Sequence, residues 1–120
     1  MIQYQMGAIE KQFANIIWEK EPISTADLVK ECEKCFEWKK TTTYTVLKRL
    51  NEKGIFQNNK GIVTSLMSKE EFYSLQSNQY VETNFDGSLP AFLTAFTSKK
   101  KLTKNEIVYL KELIDNYKGE

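Results

Sequence analysis

The sequence contains no histidine among its 120 residues. Histidine is the commonest general base and the commonest metal ligand in proteins, so its absence argues against a catalytic triad with that base and against a histidine-bound metal. Cysteine is scarce as well, because Cys32 and Cys35 are the only two, which is too few for a disulfide scaffold. The sequence therefore favours neither an enzyme nor a protein that holds a metal or another cofactor.

Long hydrophobic runs and a large net charge are also missing. No stretch approaches the roughly 20 apolar residues that cross a membrane, and the first residues show no basic start followed by an apolar run. We therefore expect no membrane insertion, no signal peptide and a cytoplasmic location. The net charge is only +1, so an argument for nucleic-acid binding must come from where the charges lie and not from their sum.

What is present is a clear order of short elements. Apolar residues at helical spacing predict helices from about Ala8 to Lys20 and from about Thr41 to Lys53. Between them, Pro22 ends the first helix, and residues 22–24 are predicted to form a short extended piece. A capping box at residues 24–27 predicts the start of a second helix, which ends near Lys34.

Two short strands are predicted after the third helix. Residues 55–58 and 62–66 have strand character, and Asn59-Lys60-Gly61 between them is typical of a hairpin turn. Three short helices closed by a two-stranded hairpin predict a mainly α fold with a winged helix-turn-helix domain over residues 1–67.

Residues 68–120 predict a C-terminal helical dimerisation segment. Capping boxes begin at Ser68 and Thr103, and Asp86-Gly87-Ser88 interrupts the helices between them. Two amphipathic helices are too few to bury their own apolar faces, so they either fold back on the first domain or pair with a second copy. We favour a homodimer, because a two-fold protein matches a two-fold DNA site. The predicted dimer interface consists of Leu89, Phe92, Leu93, Phe96, Ile107, Leu110, Leu113, Ile114 and Tyr117.

Basic residues are concentrated between Lys39 and Lys60, a window that contains six of them and a single acidic residue, Glu52. This window holds the third helix and the hairpin tip, the two parts of a winged helix that contact DNA. Threonines suit phosphate or the thymine methyl group, and Arg49, the only arginine, suits a guanine edge or a phosphate. The predicted DNA-binding residues are Lys39, Lys40, Thr41, Thr42, Tyr44, Thr45, Lys48, Arg49, Asn59 and Lys60. The alternatives are a solvated basic face and a winged-helix protein-interaction module without DNA binding.

Three segments resemble one known family. Residues 38–54 have the pattern Trp-x-x-Thr-Thr-x-Tyr-Thr-x-Leu-x-Arg-Leu-x-x-Lys-Gly, residues 16–18 are Ile-Ile-Trp, and residues 87–96 are Gly-Ser-Leu-Pro-Ala-Phe-Leu-Thr-Ala-Phe. They resemble the recognition helix, the end of the first helix and the dimerisation segment of the penicillinase repressor family (BlaI/MecI/CopY-type). The resemblance extends over nearly the whole chain.

The resemblance implies a homodimer on a palindromic operator, with the third helix in the major groove. Members repress β-lactam-resistance or copper-transport genes and are released by an inducing signal. In the β-lactam branch, a membrane sensor-protease system acts indirectly and leads to cleavage of the repressor, for which the matching candidate region here is Ala95 and Phe96. The Asn-Phe pair cleaved in staphylococcal repressors is not reproduced, and no cysteine follows Cys35, which disfavours copper sensing by the family's C-terminal cysteine cluster.

The remaining distinctive residues are predicted to be structural. Cys32 and Cys35 form a single C-x-x-C pair, which cannot fill a tetrahedral zinc site alone, so we expect buried or half-exposed thiols. Trp18 and Trp38 adjoin apolar stripes and are predicted to pack into the core.

Overall fold

The computed structural model describes residues 2–119, and within them the chain forms six helices and a small antiparallel sheet. The helices are α1 Ala8–Lys20, α2 Thr25–Phe36, α3 Lys40–Glu52, α4 Lys69–Phe85, α5 Leu89–Thr97 and α6 Lys104–Asp115. The strands are β1 Ile23–Ser24, β2 Phe56–Asn59 and β3 Ile62–Ser65. The predicted mainly helical, winged-helix fold is confirmed.

Helix ends differ from the sequence-based expectation by a few residues. The Ser24 hydroxyl accepts a hydrogen bond from the Asp27 amide at 3.0 Å, as predicted for the start of α2. However, α2 continues to Phe36 and ends where Glu37 adopts a left-handed conformation, with φ 57°. The last helix ends at Asp115, so Tyr117 lies beyond the stripe to which the periodicity assigned it.

The sheet has the order β1-β3-β2, with β3 in the centre. Asn59 pairs with Ile62, so the hairpin turn consists of two residues, Lys60 and Gly61, and not of the three predicted. Both have positive φ, 52° and 85°, as a type I′ turn requires. The Gly61 amide donates to the Asn58 side chain at 2.9 Å, and the Gly61 carbonyl accepts from the Thr25 amide at 2.9 Å. The first bond closes the turn, and the second attaches the hairpin tip to the start of α2.

The core lies between the first three helices, the sheet and the first turns of α4. Its fully buried side chains include Phe13, Leu28, Leu50, Phe56 and Phe72. The prediction that both tryptophans pack into the core is confirmed, since they are half-buried against it. The Trp18 ring lies 5.3 Å from that of Phe56 and its indole donates to the Met67 carbonyl, while Trp38 stacks on the rings of Phe13 and Phe36.

The chain divides into two compact units, an N-terminal unit up to Tyr80 and a C-terminal unit from Val81 onward. The division falls within α4, later than the boundary predicted between residues 67 and 68, because Phe72 in the first turn of α4 is part of the N-terminal core. The functional boundary between a DNA-binding and a dimerising part remains a prediction. None of the helices in residues 2–119 combines the length and apolar character that crossing a membrane requires.

Candidate nucleic-acid interface

Helix α3 has one buried face and one exposed face. Thr43, Val46, Leu47 and Leu50 are buried against the core. On the opposite side, Thr41, Thr45 and Lys48 follow one another at intervals of four and three residues, and all are exposed. This set, which we call the outward face, is formed by residues that the sequence predicted to bind DNA. Thr42 and Arg49 lie on one flank of it, and Lys40 and Tyr44 on the other.

The N-terminus of α3 is open to an anion. Lys39 occupies the N-cap position with extended backbone, and its side chain makes no capping hydrogen bond. The first amides of a helix and its dipole together attract negative groups such as phosphate. The positively charged side chains of Lys39 and Lys40 add to this potential, and both are exposed.

Two contacts organise the outward face and its flank. The Thr45 hydroxyl donates to the Thr41 carbonyl at 2.9 Å, so its proton is used within the helix and its methyl group is the apolar feature left for a partner. The Lys40 ammonium lies 5.8 Å from the centre of the Tyr44 ring, a cation–π distance, and 37 % of Tyr44 is exposed.

Arg49 is held by a residue that the sequence patterns did not reveal. Its Nη1 lies 3.5 Å from Oε2 of Glu10 in α1, and the exposed fractions of the two side chains are 51 % and 23 %. The guanidinium is therefore turned toward α1 and already has a carboxylate partner. No local pattern could have indicated Glu10, because it lies 39 positions before Arg49 and no short-range spacing relates the two.

The six basic residues of the window between Lys39 and Lys60 do not form one patch. Lys60 projects from the exposed hairpin tip beside Asn59. In contrast, the Lys53 ammonium donates to the Gln5 carbonyl at 3.1 Å, which attaches it to the N-terminal segment. The positive charges left for a phosphate backbone are those at the start of α3, on its outward face and at the hairpin tip.

The C-terminal unit exposes most of its apolar surface. None of its described residues, 81–119, is fully buried. Ile114 is 69 % exposed, Leu89, Phe96, Ile107 and Leu113 are exposed as well, and Phe92, Leu93 and Leu110 are half-buried. A groove of about 540 Å³ runs between α5 and α6. Its apolar lining includes Leu102 and Tyr109, which were not predicted. Helical periodicity did not indicate them, because neither residue continues the apolar stripe of α6.

The candidate cleavage region lies within regular structure. Ala95 and Phe96 are exposed, but both belong to α5. Proteases bind their substrates as extended chain, so cleavage here would require local unfolding of α5. The role of these two residues remains a prediction.

The two cysteines differ in environment, although both are free thiols. Cys32 is buried between α2 and α3, and burial raises its pKa from 9.0 to about 11, because the thiolate is disfavoured away from water. Cys35 is exposed. Within the described residues, no group of three or more candidate side chains is placed to hold a metal ion.

Three helices, a hairpin and a basic helix face beside that hairpin define a winged-helix protein of the class that regulates transcription. The family profile described as penicillinase repressor matches residues 6–116. The chain therefore belongs to the penicillinase repressor family, as its resemblance to that family indicated. The members are transcriptional repressors, so this chain is a repressor and not an enzyme.

Curated relatives extend over almost the same length. A penicillinase repressor of Bacillus licheniformis is 24 % identical over 119 residues, covering 96 % of this chain and 93 % of the relative. The methicillin resistance regulatory protein MecI of Staphylococcus aureus (strain Mu50) is 24 % identical over 116 residues, covering 93 % and 94 %. MecI of Mammaliicoccus sciuri is 23 % identical over 116 residues, with the same coverage.

Proposed function

We propose that the chain acts as a homodimer that binds a palindromic operator in the cytosol and represses the adjoining gene. The single observation that carries this proposal is the outward face of α3, where Thr41, Thr45 and Lys48 are exposed opposite a buried core face. A helix with this polarity, next to a hairpin with a basic tip, fits the major groove with the hairpin over a flanking phosphate.

The proposed contacts are of two kinds: phosphate contacts that position the protein on DNA, and base contacts that recognise the sequence. The uncapped N-terminus of α3, Lys39, Lys40 and Lys48 would neutralise phosphates and set the register without reading bases. Lys60 and Asn59 would do the same from the hairpin tip. Thr45 would read a thymine methyl group, since its hydroxyl proton is already bound to Thr41. Arg49 would reach a base or a phosphate after leaving Glu10, with Thr42 on the same flank. Tyr44 would contact DNA from the opposite flank, beside Lys40.

Dimerisation is supported by the C-terminal unit. A segment of about 40 residues without a fully buried side chain lacks a core of its own, and its exposed apolar groups on α5 and α6 need a cover. A second copy supplies the matching surface by two-fold symmetry. Two linked recognition helices then bind two half-sites, and the second binding event is intramolecular, which raises the affinity.

The relatives bear the names of penicillinase and methicillin resistance regulators. We infer from these names that the operon regulated by this chain is an inducible one of the β-lactam-resistance type. Release by a membrane sensor-protease system, which acts indirectly and leads to cleavage of α5 near Ala95 and Phe96, is part of the same proposal. It predicts that an inducer shortens the repressor within α5, which immunoblotting of induced cells would detect.

Titration of labelled promoter DNA from beside the chain's own gene tests DNA binding. We expect binding that survives excess unrelated DNA and weakens steeply as salt rises from about 50 to 200 mM, as counterion release dictates. Lys48→Ala should weaken binding to every duplex and lower the salt slope by about 0.9 for each protomer, or about 1.8 for the dimer. The control is Lys101→Ala, an exposed lysine in the connection between α5 and α6. Absence of binding at moderate salt would refute the proposal and favour a protein-interaction module.

A further inference from the structure

The N-terminal segment, residues 2–7, forms an extended strap that connects α4 with the end of α3. It precedes α1 and has no helical or strand structure of its own. Within it, Met6 is buried in the core. The ring of Tyr4 packs edge-on against Phe72 of α4, with ring centres 6.2 Å apart. The strap is therefore packed against the N-terminal unit at Tyr4 and Met6.

Two glutamines of α4 bind the backbone of this strap. Gln79 accepts from the Tyr4 amide at 2.8 Å and donates to the Ile2 carbonyl at 2.6 Å. Gln76, one helical turn earlier, donates to the Tyr4 carbonyl at 3.0 Å. Both backbone polar groups of Tyr4 are thus satisfied by side chains of α4, in the way that a neighbouring strand would satisfy them.

The other side of the strap holds the recognition helix. The Gln5 carbonyl accepts from the ammonium of Lys53, the residue that caps the C-terminus of α3. The strap therefore bonds α4 through Tyr4 and α3 through the next residue. Hydrogen bonds to two adjacent residues thus link the two helices.

α4 needs such an attachment, because Phe72 is its single fully buried residue. Beyond Phe72, the helix continues for 13 residues to Phe85, which is about 20 Å at a rise of roughly 1.5 Å per residue. A tilt of about 10° at Phe72 would displace the far end of α4 by about 3.5 Å, close to the rise of about 3.4 Å for one base-pair step. The direction of α4 can therefore matter on the scale of operator spacing.

We propose that Gln76, Gln79 and the strap are positioning elements that fix α4 relative to α3 and thereby set the spacing of half-sites that the dimer accepts. This inference rests on the proposed function, since it requires dimerisation through the part of the chain beyond α4. None of the three elements needs to contact DNA. They act on the separation of the two recognition helices, which must match the separation of the two half-sites.

The test uses the full chain with Gln76→Ala and Gln79→Ala combined. The control variant is Asn78→Ala, whose amide donates to Ser74 within the same helix. Binding is measured to a palindrome recovered by selection from a randomised duplex library, to the same palindrome with one base pair inserted or removed at its centre, and to a single half-site. Amide hydrogen exchange at Tyr4 reports whether the strap has been released.

We expect the double variant to bind the single half-site like the parent. Its affinity for the selected palindrome should fall about tenfold, and its preference for that spacing over the altered ones should shrink to about threefold or less. Tyr4→Ala alters the strap instead of α4 and removes the ring contact with Phe72. It should reduce the affinity for the palindrome and the spacing preference in the same direction, but by less. Asn78→Ala should retain the parental preference.

Two outcomes would overturn the inference. One is a released strap with an unchanged spacing preference, and the other is an equal loss of affinity for the half-site and the palindrome, which would indicate a purely structural role. Failure of the proposed function has a different signature, since the parent itself would then bind no selected palindrome or bind it no better than a half-site.

Discussion

Individual side chains of α3 differ in what they still have available for a partner. Thr45 has used its hydroxyl proton within the helix, and Arg49 has a carboxylate partner. Within residues 2–119, Lys48 is exposed and has neither kind of contact. Residue-level chemistry therefore distinguishes positions that the sequence pattern grouped together as one basic, hydroxyl-rich surface.

For Thr45, we expect the methyl group and not the hydroxyl to matter for DNA binding. Thr45→Ser removes the methyl and should weaken binding to the operator by about 1 kcal/mol, the size of one buried carbon group. Thr45→Val keeps it and should stay close to the parent. Anisotropy titrations with deoxyuridine replacing each thymidine in turn would locate the contacted base. Greater loss with Thr45→Val than with Thr45→Ser would contradict the assignment.

Releasing Arg49 from Glu10 should make binding less selective. In Glu10→Gln, the freed guanidinium adds one phosphate contact in each protomer, so the salt slope of the dimer on unrelated DNA should rise by about 1.8. The free energy of unfolding should change by less than about 1 kcal/mol, since the pair is partly exposed. Glu31→Gln is the matched control, because Glu31 pairs with Lys20 of α1 at 3.1 Å and carries the same charge. Equal slopes for both variants would show that net charge alone is responsible.

Cys32 should make stability depend on pH in the alkaline range. Its pKa rises from 9.0 to about 11 on folding, so the folded state holds the proton more tightly than the unfolded state. The associated stability is complete below pH 9 and is lost as the pH rises from 9 to 11, by on the order of 2 kcal/mol. Denaturant titrations across this range should show a smaller loss for Cys32→Ala than for Cys35→Ala. The same loss in both variants would refute this role.

At the scale of elements, the hairpin carries a residue, Lys60, whose backbone conformation is unfavourable for its type but whose charge suits the proposed DNA contact. Lys60 adopts φ 52°, a conformation that lysine disfavours and asparagine tolerates. Local stability therefore gives no reason for a lysine at this position of the turn. A contact between its ammonium and DNA would give one.

Lys60→Asn should separate the two properties of the hairpin tip. We expect an unfolding free energy equal to that of the parent or higher by a few tenths of a kcal/mol, because asparagine adopts positive φ more readily. Affinity for all duplexes should fall, with a salt slope smaller by about 0.9 for each protomer, or about 1.8 for the dimer. Thermal unfolding and DNA titration on one preparation measure both quantities, with Lys101→Asn as the control for charge. Unchanged DNA affinity would remove the hairpin tip from the proposed interface.

At the scale of the whole molecule, the repressor combines a well-packed N-terminal unit with a C-terminal unit that has no fully buried residue among those described. A unit with its own core can fold without a partner, whereas the exposed apolar groups of α5 and α6 would gain their burial from the proposed association. Stability and assembly should therefore respond to different substitutions.

Ile114→Asp should break the dimer and leave the head folded. Ile114 is 69 % exposed, so a charge there costs little in a single chain but is costly once a second copy covers it. Sedimentation should give monomers, and affinity for a palindrome should fall to that for a half-site. Val108→Asp is the matched control, since Val108 is an exposed apolar residue of α6 outside the predicted stripe. A stable Ile114→Asp dimer would exclude this face from the interface.

The sequence by itself determined the order of elements, the buried face of α3, a hairpin turn that includes Lys60 and Gly61, and the concentration of basic residues beside that turn. These features follow from helical and strand periodicity, capping and backbone preference, which depend on neighbours within a few residues. The caps at Ser68 and Thr103 formed for the same reason. The shift of helix ends by one or two residues reflects final turns in which local preferences are weak.

Only the tertiary structure decided how those residues are used. It paired Arg49 with Glu10, attached Lys53 to Gln5 and bound Tyr4 to Gln79, which lies 75 positions away. Contacts of this kind arise when packing of the core brings distant segments together, so no spacing in the sequence indicates them. Core packing also determines which apolar side chains of α5 and α6 stay uncovered, because exposure depends on every neighbour in space and not on neighbours in the chain.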